Sequence, residues 1–189
     1  MEDRLKQYLK SYLLLGGIAG FIIIVDQITK LLVRQYLPLN GLWMPAGLEW
    51  LIPYARFYFT QNTGASFGML KGFGPVFSVL ALAVSAGIIY YFPRIPAEDW
   101  TLRIALSMQL AGALGNVIDR LLLGYVTDFI SVGTFAIFNI ADSSITVGVA
   151  VLLLGVWLQE RKKKASQIST EPPALPAEVV QTPPDEAKE

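Results

Sequence analysis

The amino-acid sequence predicts a membrane all-α fold: a four-transmembrane-helix bundle with a small extracytoplasmic β element between helices 1 and 2. Three observations carry this. Four separate stretches are apolar over about 20 residues, the length that crosses a bilayer. Only 16% of the residues are charged, where a soluble domain carries about a quarter. The segment between the first two stretches breaks the helical pattern with Pro38, Pro45 and Pro53, then runs through Arg56-Phe57-Tyr58-Phe59-Thr60, an aromatic, strand-like series.

In chain order, the first span covers about residues 12–33. It does not read as a cleaved signal peptide, because it is too long and its end carries Asp26 and Lys30 with no small-residue cleavage site. The loop over 35–72 follows, with Trp43, Trp50, Tyr54 and Tyr58 suited to a membrane interface. The remaining spans are expected at about 73–92, 102–123 and 136–158. Residues 1–164 then form one membrane domain. The segment 165–189 holds five prolines, several glutamates and no aromatic residue, so it is expected to be a disordered tail. Basic residues set the orientation. Arg4, Lys6 and Lys10 precede the first span, Arg94 and Arg103 flank the middle loop, and Arg161 to Lys164 follow the fourth span. The loop over 124–135 has no Lys or Arg. Both termini and the middle loop are therefore expected to be cytoplasmic, and the other two loops to face outward.

Composition also narrows the chemistry. The formal net charge is zero, so nothing points to nucleic acid. The chain has neither His nor Cys, which removes disulfides, thiolate nucleophiles, Cys/His metal sites and His-based triads together. No metal or cofactor is expected. An enzyme built from this chain must take its acids and bases from Asp, Glu, Lys or Tyr.

Against that apolar background, four stretches place polar groups in or beside the spans: Asp26 to Lys30, Asn62 to Ala65, Asn116 to Arg120 running on to Asp128, and Phe138 to Asp142. Polar groups in hydrocarbon are costly and usually mark a site. With a rise of about 1.5 Å per residue, all four fall near the outer boundary of the bilayer. Asn116 and Asp119 share a helical face by their spacing, as do Asn139 and Asp142, and Asp26 can pair with Lys30 four residues on. Gly112 and Gly115, with Ala111 and Ala113, allow another helix to approach closely.

Residue types leave roles open. Asp26 with Lys30 reads as a structural or substrate-orienting pair ahead of a catalyst. Asp119 beside Arg120 reads as an ion pair holding helix ends, with a chemical role as the alternative. Asn62 in Asn-Thr-Gly suits a turn or a binding group equally. Asp128, after the Gly124-Tyr125 break, suits a helix cap or chemistry equally. Asp142 has no cation within four residues and reads as a chemical group.

Two close carboxyl groups are the most economical catalytic device left. One keeps a proton, and the other takes a proton from an attacking water. A small proton- or ion-coupled transporter is the main alternative, because intramembrane Asp, Asn and Lys also line ion paths. It is disfavoured by the gathering of polar residues at one depth. A non-enzymatic scaffold is the second alternative.

Five motifs in order then resemble one family. They are Asp26-Gln27-Ile28-Thr29-Lys30, Asn62-Thr63-Gly64-Ala65-Ser66-Phe67, Gly112 to Arg120, Val126-Thr127-Asp128-Phe129 and Phe138-Asn139-Ile140-Ala141-Asp142-Ser143. Over about residues 18–158 the chain resembles bacterial lipoprotein signal peptidase, also called signal peptidase II. The resemblance implies an inner-membrane aspartic endopeptidase that cuts diacylglyceryl-modified prolipoproteins just before the lipidated Cys. It implies Asp128 and Asp142 as the catalytic pair, which pattern alone does not select. It makes Asp119 and Arg120 supporting residues, and Asp26, Asn62, Asn116 and Asn139 pocket-lining ones. Lys30, Gly64 and Ala141 fall in the same motifs. Lipidated prolipoproteins, membrane phospholipid and cyclic peptide inhibitors of the globomycin type are the implied partners. Two departures stand out. Ten residues separate Asp128 from Asn139, a short connection for a site-covering loop, and the tail is longer than the fold needs.

Overall fold

The computed structural model describes residues 2–64, 70 and 72–170, with side chains to residue 161. Ala65, Ser66 and Phe67 of the second motif and residues 171–189 of the expected tail lie outside the described residues.

Four helices are long and apolar enough to cross a membrane. Helix α1 runs over Glu2–Tyr36, α2 over Gly74–Tyr91, α3 over Trp100–Leu123 and α4 over Ile140–Thr170. Among the described residues three strands accompany them: β1 Leu42–Trp43, β2 Ala55–Asn62 and β3 Val126–Val132. They form an antiparallel sheet in the order β1-β2-β3. The aromatic strand lies where the sequence predicts it, whereas β3 occupies the segment predicted as an outward loop. The first helix begins well before the span expected at 12–33. The fourth begins at Ile140 rather than 136 and continues through residues 165–170, where a tail was expected.

Helix ends follow local chemistry. Asp99 caps α3 by accepting the Leu102 N–H at 3.2 Å. Gly124 ends α3 in a left-handed conformation, φ 80°, which costs glycine no Cβ clash and turns the chain directly into β3. Pro75 sits in the first turn of α2, where its missing N–H is no loss.

Helix α3 is central. Over its most apolar stretch 56% is buried, against 17–22% in the other three helices. Leu15 and Ala19 of α1, Ile88 of α2, Phe92, and Leu110 and Ala111 of α3 form one apolar core. The α3–α4 seam depends on glycine from both sides. A Cβ on Gly112 would collide with the Ala141 carbonyl and Ile145, and one on Gly148 would lie 3.0 Å from the Ala105 carbonyl. The close approach expected from the small residues is therefore made. Large apolar side chains such as Phe21, Leu31, Val79, Leu122 and Leu153 face outward, as a lipid-solvated surface requires. Arg103, expected to flank the middle loop, is instead buried within α3, donating to Ser11 Oγ at 2.9 Å.

Among the described residues, those up to 156 make one compact unit and those from 157 another. In the second, the Arg161 guanidinium lies 4.1 Å over the Trp157 ring.

Candidate active site

Strand register places Asp128. On β2 and β3, Thr60 pairs with Asp128 and Asn62 with Val126. Side chains alternate along a strand, so Thr60, Asn62 and Asp128 share one face. Asn62 Nδ2 donates to Asp128 Oδ2 at 2.9 Å. The opposite face carries Phe59 and Phe129, which pack with Val33 of α1. One strand thus seals an apolar layer and presents a carboxyl group on its other side. Asn62 also makes a turn, because its Oδ1 accepts the Gly64 N–H at 3.0 Å. Of the two roles open to Asn62 in the sequence, the structure shows the turn. Asp128 is not a helix cap.

A helix start places Asp142. Asn139 precedes α4 instead of lying within it as the sequence suggested. Its Oδ1 accepts the Asp142 N–H at 3.0 Å, while its own N–H donates to Asp142 Oδ2 at 3.2 Å. This reciprocal pair is a capping box in Asn/Asp form. The next orphan donor, the Ala141 N–H, reaches across to Asp26 Oδ1 of α1 at 2.9 Å. Asp26 is therefore a capping group behind the site rather than part of the pocket wall. Asn139, fully buried, is likewise behind the wall.

The two carboxyl groups meet on Asn139. Its Nδ2 donates to Asp128 Oδ1 at 2.7 Å, and its backbone N–H holds Asp142. The ten-residue connection makes this possible by folding back. Ile130 and Phe138 bridge as an antiparallel pair, which returns the chain to Asp128 before α4 begins. Asn116 of α3 completes the frame, with Nδ2 donating to Asp142 Oδ1 at 2.7 Å. Its Oδ1 accepts from Lys30 Nζ at 3.0 Å. An ammonium group can only donate, so Lys30 fixes which end of that amide faces Asp142.

Lys30 is fully buried and paired with Asp26 at 2.8 Å, as the spacing suggested, with Asp119 at 3.5 Å. The expected Asp119–Arg120 pair does not form. Asp119 turns to Lys30, accepts the Thr127 N–H at 2.8 Å and lies 3.8 Å from Arg34. Arg120, on a different side of the helix, donates to the Gly64 carbonyl at 3.4 Å. Gly115 is needed here, since a Cβ would lie 2.8 Å from Asp26 Oδ2 and 3.2 Å from the Ala141 Cβ.

Two further residues join the frame. Arg34 donates to Thr127 Oγ1 at 2.9 Å, and the Thr127 carbonyl accepts from Asn139 Nδ2 at 3.4 Å. Arg34 had a signal, because it continues the four-residue spacing of Asp26 and Lys30. Thr127 falls in the Val126-Thr127-Asp128-Phe129 motif, but its role depends on β3.

Asp128 and Asp142 face a cleft of about 370 Å³ between α2, α3 and α4, shared with Asn62, Asn116 and Arg120. Burial pushes the Asp128 carboxyl up to about 7, reinforced by the Asp142 charge and opposed by the Asn62 and Asn139 donors and the Lys30 charge. Two carboxyl groups so placed have the chemistry to supply an acid and a base at one spot.

The chain matches the family model for Signal peptidase (SPase) II over residues 18–158. It is 38% identical to a lipoprotein signal peptidase of Sinorhizobium fredii over 151 residues, covering 77% of this chain and 87% of that one. It is 42% identical to one from Shouchella clausii over 150 residues, covering 79% and 96%. Among solved structures, a bacterial membrane enzyme determined by the in meso method superposes with a TM-score of 0.70 at 31% identity, over 82% of this chain and 91% of that one. The transporter alternative finds no support among these relatives. A bundle whose polar residues gather around two cleft-facing carboxyl groups, with similarity of this extent to peptidases, leads to one conclusion: this chain belongs to the signal peptidase II family of membrane peptidases.

Proposed function

We propose that this protein removes signal peptides from diacylglyceryl-modified prolipoproteins, cutting just before the lipidated Cys, with Asp128 and Asp142 as an aspartic catalytic pair. The observation that carries the reading is Asn139, which binds both carboxyl groups at once. The pair holds one proton and titrates as a unit. Its ionised member takes a proton from water as the oxygen attacks the scissile carbonyl carbon. Its protonated member donates a hydrogen bond to the carbonyl oxygen. Collapse of the tetrahedral intermediate breaks the C–N bond, and the amine leaves with a proton from the pair. Lys30, Asp26, Asp119 and Arg120 hold the frame rather than react.

Four membrane-length helices suit a multi-pass protein. The basic residues early in α1 and late in α4 support cytoplasmic termini in a bacterial inner membrane, with the site at the outer face. There a lipidated substrate can enter sideways between helices, with phospholipid around it. A cyclic peptide of the globomycin type would compete for the same cleft.

The test is a gel-shift cleavage assay with the purified protein. Cleavage of a lipidated prolipoprotein, absent for its unlipidated form and lost in Asp142→Asn, supports the reading. Equal cleavage of both forms, or an active Asp142→Asn variant, overturns it.

A further inference from the structure

Below the two carboxyl groups, the cleft continues along α3 between Leu80, Ala81 and Val84 of α2 and Ile145 of α4. This deeper part is apolar except for Gln109. Gln109, Gly112, Asn116 and Arg120 follow one another at helical spacing, so they form a stripe down one face of α3 that lines the cleft. Gln109 is half-buried. Gly148 of α4 makes room for it, since a Cβ there would lie 3.3 Å from Gln109 Cγ. Among the described residues its amide makes no hydrogen bond, although every other polar side chain of that stripe has a partner. An amide carries two donors and an acceptor, and hydrocarbon offers nothing to satisfy them.

We infer that Gln109 binds the substrate's main chain, at about the third residue before the scissile bond. Seven residues of helix separate Gln109 from Asn116, or about 10 Å. An extended peptide advances about 3.3 Å per residue, so about three residues span that distance. The apolar walls at this depth suit the hydrophobic residues on the signal-peptide side of the cut. A signal peptide drawn out of its helix to expose the scissile bond frees backbone N–H and C=O groups in a water-poor cleft. Gln109 supplies partners for one such pair. The inference rests on reading the cleft as the substrate site.

The test uses the full-length protein, Gln109→Leu and a lipidated prolipoprotein peptide whose backbone amide is replaced by an ester at the second, third or fourth residue before the cut. Wild type should lose about three- to tenfold in kcat/KM with the ester at one of these positions, the scale of one interhelical hydrogen bond in a membrane. Gln109→Leu should lose a similar factor with the all-amide substrate, chiefly through KM, and be indifferent to the ester. Unchanged kinetics in Gln109→Leu, or equal ester sensitivity in both proteins, overturns the inference. Because the chain contains no Cys, placement can be read without turnover. Gln109→Cys in an Asp142→Asn background should form a disulfide with a substrate Cys at the third position and not with one at the eighth. Cross-linking without that preference counts against Gln109. Absence of cleavage by wild type beside position-specific cross-linking would instead count against the proposed reaction alone.

Discussion

Two buried cations divide the bundle into two kinds of polar interior. Lys30, at the end that carries the site, touches Asp26, Asp119 and Asn116. Among the described residues Arg103, toward the opposite end of the same helix pair, has only the Ser11 hydroxyl and the face of Phe92 against its side chain, and its Nε has no partner. Both join α1 to α3. Lys30 belongs to a connected network in which each atom decides the orientation of the next. Arg103 is an isolated clasp. Fully satisfied networks fix one geometry, whereas a lone contact only holds two surfaces together. Catalysis needs the first property, and helix association needs only the second.

The sharpest way to break this comparison is at the carboxyl pair. Asp128→Asn and Asp142→Asn should each lower cleavage of a lipidated prolipoprotein by about 100-fold or more, the scale of losing an acid–base group. Melting curves in detergent should show both variants still folded. No clasp variant should lose activity on that scale while staying folded.

Next come the cations themselves. Lys30→Met leaves Asp26 and Asp119 buried without their ammonium, which should destabilise the protein by about 3–5 kcal/mol. Arg103→Met removes one hydrogen bond and one ring contact, with no carboxylate left behind, and should cost about 1–2 kcal/mol. Thermal unfolding of the two variants side by side measures the gap. Equal losses would mean that the two ends are energetically alike.

The pH dependence has a definite sign. Folded Asp128 holds its proton up to about pH 7, whereas an unfolded aspartate releases it near 4. Its contribution to stability is therefore full below about pH 4 and is lost as pH rises through about 7. The stability of wild type relative to Asp128→Asn should fall across that interval. A flat difference would mean that Asp128 is not held in a proton-retaining environment.

The smallest effect is expected at Arg34. It is partly exposed and 3.8 Å from Asp119, so Arg34→Gln should cost less than about 1 kcal/mol. A larger loss would extend the network further along α1 than its burial suggests.

Much of this was legible in one dimension. A span is a local property, so four of them could be read from apolar length, and the Asp26–Lys30 pair from helical spacing. The Asp119–Arg120 expectation failed for a related reason. Adjacent residues on a helix point about 100° apart, and which of them faces α1 is decided by packing. Polar Gln109 stood in plain view in the third span, but its significance depends on facing the cleft and lacking a partner.

By itself, the sequence determined that this chain is a four-span membrane protein, that its acids and bases must come from Asp, Glu, Lys or Tyr, and that its polar groups gather in a few stretches in or beside the spans. Periodicity, length and residue type are written locally and survive without tertiary contacts. Only the tertiary structure decided which carboxyl groups meet. Asp128 reaches the cleft through a third strand whose partner lies some seventy residues earlier in the chain. Asp142 reaches it because Asn139 caps a helix and binds Asp128 in the same stroke. Strand register and cross-chain capping are long-range choices, and no local pattern encodes them.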